Sequence, residues 1–399
     1  MRTLTKSNIL YRTIACCLIG FYIMYNVFLV PMGYFVPRLS ILVLMLSGFL
    51  SIFCGRKALT NEFKCLFVFI VYALITGLLI AKDDGKVINQ ALFLIESFIL
   101  GIIIFNLSID KKYLRIIIGF YAIGAIIASA YFISHPELLI GTRLSFDEDF
   151  NANTLGVMLM YGLWCIVFAI NYDNTTIVKT IVSIVITLFV LYILVQTGSR
   201  KSVLGSLGVL SSYIGYLIFT GGSTKKIYRI TLFCVVVGLI VYVYLHYLES
   251  FLEAADTFIR RMDDIEGSED NRGSLIIDSF RVFTEHPILG VGIDNNRYYT
   301  IQKLYAHNSY LEILACTGII GFAIFFPIFW RMVSYLYKKI RNVGALFKQP
   351  NNFYICVIIL VYLLVNMTQI NIYNISHMFF TYIILTYCSI DENRKTIKK

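Results

Sequence analysis

The chain has 399 residues, of which 58% are hydrophobic and only 15% are charged, and its mean hydropathy is +0.75. Soluble domains carry roughly 25% charged residues, so this composition excludes an ordinary soluble protein and indicates a membrane protein. The formal net charge of +10 also raises the question of nucleic-acid binding, which the placement of the cations decides.

Mostly apolar segments recur along the chain, and each is long enough to cross a hydrocarbon core of about 30 Å as a helix. They lie at about 9–30, 38–54, 63–81, 90–106, 114–133, 153–170, 177–196, 202–220, 227–247, 308–330, 353–370 and 375–390. The sequence therefore predicts an all-α polytopic membrane protein with about 12 transmembrane helices.

Most of the 34 Lys and Arg residues fall on one side of these segments if the N-terminus is cytoplasmic. Short cytoplasmic loops of membrane proteins carry an excess of Lys and Arg, whereas short outside loops do not. We interpret the basic excess as a topology signal that places both termini in the cytoplasm. It does not indicate a surface for nucleic acid.

One long polar stretch, residues 248–306, separates predicted helices one to nine (1–247) from the last three helices and a cytoplasmic tail (307–399). The topology places this stretch outside the membrane. It is short for an autonomous domain, so we expect it to pack on the membrane body.

The long loop has two predicted helices. Its first part has apolar residues, including Phe258 and Met262, at helical spacing among charges, which predicts an amphipathic surface helix. Its second part predicts a helix from about Ser274 to Glu285 that Pro287 stops, followed by a turn at Gly290 and Gly292.

Two cations stand in the tight outside turn between predicted helices seven and eight, "QTGSRKSVLGSLG". Gly198 can close the preceding helix in the left-handed conformation. Arg200 and Lys201 then lie at the outer membrane rim, against the charge bias of the other short loops. Lys201 is expected to extend to lipid headgroups, whereas Arg200 is the stronger candidate for a ligand.

A third cation, Arg272, precedes the second loop helix in "EDNRGSLIID". Asn271 or Ser274 could cap this helix, which would leave Arg272 near its positive end. A guanidinium beside free backbone N–H groups favours an anion that contacts both, such as a phosphate. A surface salt bridge to Glu269 or Asp270 is the structural alternative.

A histidine and an asparagine stand directly before predicted helix ten in "YAHNSYLEIL". Ser309 and Glu312 have the spacing of a capping box, which predicts that the helix begins near Ser309 and leaves His307 and Asn308 outside it. The helix dipole disfavours a protonated ring there, so His307 is biased toward the neutral form that accepts a proton. The alternative is a purely structural histidine.

The three stretches "TGSRKSVLG", "NRGSLIIDSFRVFTEHPILGVGIDNNRY" and "HNSYLEILACTGIIGF" resemble successive signatures of the O-antigen ligase and O-antigen polymerase family of bacterial surface polysaccharide assembly. The resemblance covers about residues 196–322. It implies a GT-C-like membrane fold in the bacterial inner membrane with an extracytoplasmic active site. The family's usual aromatic residue, four positions after the loop arginine, is Ile276 here.

The resemblance implies a glycan on undecaprenyl diphosphate as the substrate and a chain-length regulator protein as a further partner, with no cofactor. It assigns Arg200 and Arg272 to the diphosphate and His307 to the reacting acceptor. Asn308, Lys201 and Tyr305 complete the expected substrate-binding set. Arginine binds phosphate oxygens bidentately, so it suits a leaving diphosphate whose negative charge grows during transfer.

Three alternatives stay open from the sequence. Asp147 and Asp149 form a D-x-D pair of the type that holds a divalent ion. A lipid-linked oligosaccharide flippase is the non-enzyme alternative, although Glu96 is the only ionisable residue near the centre of a predicted helix. Polymerase and ligase share the donor and differ in the acceptor, and we favour the polymerase because the loop is modest in size.

The polar stretch 366–374 is either a sugar contact or a plain helix connection.

Overall fold

The computed structural model describes residues 6–54, 59–140, 143–146, 151–171, 176–220, 265–348 and 350–397. Within these ranges all regular secondary structure is helical, apart from one antiparallel pair of two-residue strands, β1 (Leu139–Ile140) and β2 (Arg143–Leu144). The helices are α1 (Lys6–Met24, continued by a π-helical turn Tyr25–Leu29), α2 (Leu39–Phe53), α3 (Asn61–Ile80), α4 (Asp84–Leu107), α5 (Lys111–Ser134), α6 (Ala152–Ile170), α7 (Ile177–Gln196), α8 (Arg200–Thr220), α9 (Ile265–Glu285), α10 (Ser309–Ile340), α11 (Val343–Lys348), α12 (Pro350–Asn366) and α13 (Ile375–Ile397). Short 3-10 turns occur at Pro136–Leu138 and Asn296–Tyr298.

The predicted apolar segments coincide with helices wherever the structure describes them. The segment at 227–247 and the amphipathic helix around Phe258 lie outside the described residues. In the described part, 7 helices are long and apolar enough to cross a membrane, and α2 and α12 are shorter apolar helices. The protein is therefore the all-α polytopic membrane protein that the sequence predicts.

Helices α6 and α13 form the centre of the bundle, since their side chains are buried on nearly all sides. Aromatic rings join them: the Tyr161 ring stacks on Phe380 with centroids 4.1 Å apart. The indole N–H of Trp164 on α6 donates to the backbone carbonyl of Tyr354 on α12 at 2.8 Å. A helix that is apolar on all faces is expected at the interior of a bundle.

The part of the long loop that the structure describes, residues 265–306, packs on the membrane body, as expected. Asn295 accepts hydrogen bonds at Oδ1 from the backbone N–H groups of Lys82 (3.1 Å) and Asp83 (3.0 Å) in the α3–α4 turn. Tyr373 in the α12–α13 connection accepts from the backbone N–H of Asp294 at 3.1 Å. We call this end of the bundle the loop end: it comprises residues 81–83, 197–201, 286–308 and 367–374.

Helix α10 is broken at Gly318, which has φ +63° and ψ −171°. The break leaves the carbonyls of Ala315 and Cys316 without helical partners, and the loop supplies them: Val291 N–H donates to Ala315 at 3.1 Å and Gly292 N–H to Cys316 at 2.9 Å. In return, Ile319 N–H donates to the carbonyl of Pro287 at 2.9 Å. The predicted turn at Gly290 and Gly292 is confirmed, because both glycines have positive φ.

The prediction for the second loop helix is wrong at its beginning. Helix α9 begins at Ile265 and not near Ser274, although it ends at Glu285 before Pro287 as predicted. Asn271 and Gly273 are poor helix formers, but the helix continues through both. Arg272 therefore lies inside the helix and not at its positive end, and the argument from free N–H groups does not apply to it.

Candidate functional site

The α7–α8 turn presents the two predicted cations at the loop end. Gly198 closes α7 with φ +61°, as predicted, and its N–H donates to the carbonyl of Val195 at 3.0 Å. Helix α8 begins directly afterwards at Arg200, whose side chain is half-buried. The left-handed glycine thus fixes Arg200 at the N-terminus of α8.

Lys201 contacts the connection between α12 and α13, which we call the α12–α13 connection (residues 367–374). Its ammonium group donates to the side-chain oxygen of Gln369 and, at 3.5 Å, to the carbonyl of Thr368. Gln369 in turn donates to the side-chain oxygen of Asn371. The expectation that Lys201 extends to lipid headgroups is therefore wrong for this conformation, because the side chain binds protein oxygens.

Helix α10 begins at Ser309 as predicted, but the capping box is wrong. Asn308 is the N-cap: its Oδ1 accepts from the backbone N–H groups of Tyr310 (3.0 Å) and Leu311 (3.1 Å). Glu312 instead accepts at Oε2 from Asn296 Nδ2 (3.0 Å) and from the backbone N–H of Ala306 (3.1 Å). Asparagine is as good an N-cap as serine, so the local chemistry permits either residue.

Ser309 joins the start of α10 to the same α12–α13 connection. Its hydroxyl donates to the carbonyl of Gln369 at 2.8 Å and accepts from the backbone N–H of Asn371 at 3.0 Å. Ser309 is 1% exposed, so this contact is shielded from water. The starts of α8 and α10 are thus held by one short segment.

His307 directly precedes the N-cap and has φ +50°, in the left-handed region that few non-glycine residues adopt. Such backbone strain costs roughly 1–3 kcal/mol and occurs most often at functional sites. The centroid of the half-buried His307 ring lies 4.6 Å from the centroid of the Tyr305 ring. The guanidinium carbon of Arg297 lies 5.7 Å from the same Tyr305 centroid.

Two of these contacts could not be expected from local sequence. Arg297 forms an ion pair with Asp294, which is 4% exposed, and its guanidinium also faces the ring of Tyr305, eight residues further along the chain. Gln369 and Asn371 lie 60 and 62 residues from Ser309 in the chain, and no spacing rule connects positions so far apart. The polarity of the stretch 366–374 was the one signal that could have indicated them.

The α3–α4 turn closes one side of the site region. Tyr298 donates from its hydroxyl to Asp83 Oδ2 at 2.6 Å. This hydrogen bond holds the pKa of the Asp83 carboxyl below its usual range, and it raises the pKa of the Tyr298 hydroxyl. Lys82 places its ammonium group 3.8 Å from the centroid of the Tyr299 ring.

Most of the predicted site residues lie at or next to helix starts that contact the α12–α13 connection. Arg200, Lys201, His307 and Asn308 all lie at helix starts that the α12–α13 connection holds, and Tyr305 contacts His307. Arg272 lies within α9, and its side chain is outside what the structure describes. Asp147 and Asp149 also lie outside the described residues.

The loop end combines fixed cations, an imidazole and an amide at the surface of a helical membrane bundle. Guanidinium and ammonium groups bind anionic oxygen, and an imidazole can accept a proton from a hydroxyl. These groups stand at one end of a multi-helix membrane protein, which is the class that the fold defines.

Comparison with known families gives this class a narrower description. Residues 183–326 match the family model described as O-antigen ligase. The match includes Arg200, Arg272, His307 and Asn308, and it is consistent with the O-antigen ligase and O-antigen polymerase family to which the sequence signatures point. It supports a membrane function in glycan handling of the ligase or polymerase type. No curated protein gives a significant match to the chain.

Proposed function

We propose that the protein is a polymerase that joins oligosaccharide repeat units carried on undecaprenyl diphosphate into a surface polysaccharide. The observation that carries this proposal is that one segment, the α12–α13 connection, holds both the start of α8 with Arg200 and the start of α10 with His307. A cation for a leaving diphosphate and a base for an acceptor hydroxyl are thereby fixed relative to each other.

In the proposed reaction, the acceptor hydroxyl oxygen forms a bond to the anomeric carbon of the donor glycan. The bond from that carbon to the phosphate oxygen breaks, and its electron pair leaves with the diphosphate. Arg200, together with Arg272, stabilises the charge that grows on the diphosphate. Attack from the opposite face inverts the anomeric centre.

His307 receives the proton of the acceptor hydroxyl or orients that hydroxyl. A neutral imidazole suits this role, and His307 stands directly before the N-cap of α10. Tyr305 packs against the imidazole and limits its orientation. Asn308 uses Oδ1 as the helix cap, so only its amide nitrogen is available to a sugar oxygen.

The positive-inside bias supports a loop end that faces away from the cytoplasm. The cations at the other end of the bundle include Lys111, Arg331 and Lys339, which join ion pairs there. The proposed site therefore meets its lipid-linked substrate at the outer leaflet of the inner membrane.

Transfer to lipid A core or another carrier is the second candidate function, and the description of the matched family as O-antigen ligase favours it. A polymerase deletion strain should carry single repeat units on its lipid carrier or core. A ligase deletion strain should lose the polymer from its final carrier while lipid-linked polymer persists. A flippase would instead leave single repeat units on the cytoplasmic face.

The direct test replaces the two proposed groups one at a time and measures the glycan ladder of complemented deletion cells. We expect His307→Ala to lower polymer synthesis by about 10²- to 10⁴-fold, the usual contribution of a general base. Arg200→Ala should abolish the ladder, and Arg200→Lys should restore little because lysine cannot bind phosphate bidentately.

Matched controls are His286→Ala, an exposed loop histidine, and Arg341→Ala, an exposed arginine beyond α10. Both should give normal ladders at equal protein abundance. Normal ladders from inserted, well-expressed Arg200→Ala or His307→Ala protein would refute the assignment.

A further inference from the structure

An apolar groove begins at Lys201, which follows Arg200 at the start of α8. It has a volume of 310 Å³ and runs between α8 and α12. Gly205 and Gly208 contribute to one wall, Leu360 and Leu364 to the other, and Lys201 stands at the head with Thr368. The groove therefore has a cationic head at the loop end and an apolar body along the bundle.

The surroundings of the groove suit a hydrocarbon environment. Its rim is formed by large apolar side chains that are more than half exposed, namely Leu204, Leu360 and Leu364. Apolar side chains exposed in this way at the side of a membrane bundle face lipid. A ligand can thus enter the groove sideways from the bilayer.

The groove body is wide because α8 carries glycine there. A side chain at Gly205 would overlap Met160 on α6, so this glycine allows close packing of α8 and α6. A Cβ at Gly208 would meet nothing within 4 Å, which means that Gly208 faces open space. Open space lined by apolar carbon, below a cationic head, fits a long apolar chain that ends in an anion.

A second apolar groove, of 460 Å³ between α9 and α10, has Asn308 at its head in place of a cation. Its one phenol, Tyr310, donates its hydroxyl to the carbonyl of Leu363 at 3.0 Å and presents only its ring. Among the described side chains, this groove thus offers no positive charge to a diphosphate.

We propose that the groove between α8 and α12 holds the polyisoprenoid chain of the diphosphate-linked donor, with the diphosphate at Arg200 and Lys201. This assignment rests on the proposed function and adds the place of the lipid to it. The chain of the donor is joined through only two phosphates to the reacting carbon, so its groove must begin at the diphosphate site. The Lys201 ammonium at its head supplies the charge that complements a diphosphate, and a variant that fills the groove between α9 and α10 tests that groove as the other location.

Gly208 gives a selective way to block the groove. It lies seven residues after Lys201, which is about 10 Å along an α-helix at 1.5 Å per residue. In Gly208→Phe, the new ring fills the groove body and should not displace protein atoms, since the space is open. A five-carbon isoprenyl tail is too short to reach this ring, whereas the undecaprenyl chain must pass it.

The test measures initial transfer rates of purified protein in lipid nanodiscs with two donors that carry the same glycan diphosphate on a five-carbon or an undecaprenyl tail. We expect Gly208→Phe to lower kcat/KM for the undecaprenyl donor by at least about tenfold relative to the unmodified protein, given the apolar contact that is lost. Its kcat/KM for the five-carbon donor should stay within about twofold.

Gly119→Phe is the matched control, because Gly119 on α5 also faces open space and does not line the groove. It should leave both rates unchanged. Equal losses on both donors, or no loss on either, would overturn the groove assignment. A selective loss for the undecaprenyl donor in Leu314→Trp, which fills the groove between α9 and α10, would overturn it as well.

This experiment separates the two proposals. If the unmodified protein transfers glycan from neither donor, the proposed function fails. If it transfers from both while Gly208→Phe has no selective effect, the function stands and the location of the lipid chain is wrong.

Discussion

Asn308 combines a structural role with a position beside the proposed base. Its Oδ1 satisfies two N–H groups at the start of α10, which helix geometry leaves without intrahelical partners. We predict that Asn308→Ala lowers the free energy of unfolding by about 1 kcal/mol through loss of this cap. Thermal unfolding of the purified variants in one detergent measures the effect.

Asn308→Asp is the matched control, since a carboxylate caps a helix N-terminus as well as an amide does. It should keep the melting temperature of the unmodified protein and lose only the amide N–H that we assign to a sugar. Equal melting temperatures for the Ala and Asp variants would contradict the capping role.

The hydrogen bond from Tyr298 to Asp83 should make loop docking sensitive to acid. This bond lowers the pKa of Asp83, so its stabilisation is fully present above the ordinary carboxyl pKa of about 3.9 and is lost as the pH falls through the lowered value. In Tyr298→Phe the Asp83 pKa should rise toward its ordinary value. The loop should then be cleaved by pepsin at a higher pH than in the unmodified protein.

Tyr305→Phe is the matched control for that measurement, because it also removes a tyrosine hydroxyl from the loop but leaves the bond to Asp83 intact. Its pepsin profile should follow that of the unmodified protein. Coincident profiles for Tyr298→Phe and the unmodified protein would show that the bond does not secure the loop.

For single residues, the sequence predicts the backbone position in a helix or turn better than the hydrogen-bond partners of the side chain. The helix start at Ser309 and the left-handed Gly198 follow from local rules, and both are confirmed. The roles of Ser309 and Glu312 do not, because their hydrogen bonds go to Gln369, Asn371 and Asn296. A spacing rule describes one turn of helix and cannot include partners from other parts of the chain.

Helix α10 consists of two pieces with different surroundings. Residues 319–340 alone rise about 33 Å at 1.5 Å per residue, which is enough to cross a bilayer. Residues 309–317 form a separate short helix whose last carbonyls bind the loop. The break lies at the level of the α3–α4 turn, since Gly292, which bonds to Cys316, also packs against Ala81. It does not lie at the middle of the bundle, where transporters place broken helices.

Because the helix breaks at Gly318 and the loop packs against the break, Gly318 should not tolerate a side chain. Its positive φ strains a non-glycine residue, and a Cβ would overlap the carbonyl of Ile288. We predict that Gly318→Ala destabilises the protein by roughly 1–3 kcal/mol, as measured by the melting temperature in detergent. Gly215→Ala, in open space inside α8, should be neutral or slightly stabilising. A neutral Gly318→Ala would contradict the packing described for the break.

Hydrophobicity predicted which segments form helices, but it predicted the first and last residues of those helices less well. Each predicted apolar segment within the described ranges is a helix, because twenty apolar residues in a bilayer have no other way to satisfy their backbone. The start of α9 was missed because its first turns are polar and lack an apolar stripe. The division of the chain at residues 247 and 306 stays a prediction.

Across the whole bundle, the end opposite the loop end is fastened by one carboxylate between two lysines. Asp391 on α13 binds Lys111 of α5 at 2.7 Å and Lys339 of α10 at 2.6 Å. The three side chains are at most 9% exposed. Tyr335 adds a hydrogen bond to Asp391 at 3.2 Å.

We predict that Asp391→Asn costs about 3–5 kcal/mol of folding free energy, because it leaves two buried ammonium groups without a counter-charge. Lys111→Met should cost less, since Asp391 and Lys339 remain paired. Glu392→Gln, which weakens a partly exposed pair with Arg331, is the control and should cost at most about 1 kcal/mol. Similar melting temperatures for Asp391→Asn and Glu392→Gln would contradict the prediction.

The sequence predicts that positive charges collect at this end of the bundle, but it does not predict that Lys111, Lys339 and Asp391 are buried there. Lys111 and Lys339 belong to the basic excess that the positive-inside pattern assigns to the cytoplasmic side, and that pattern treats such residues as solvated loop cations. Their pairing with Asp391 depends on the packing of three distant helices, and composition carries no information about that contact.

The dependence of both helix starts on residues 367–374 bears on protein engineering. The family-matched segment, residues 183–326, ends before the α12–α13 connection, which binds Lys201 and Ser309 at the starts of α8 and α10. Transplanting that segment into another scaffold would carry over the proposed site residues but leave behind the connection that holds their helix starts. A functional chimera therefore needs α12, the α12–α13 connection and α13 together with the transplanted segment.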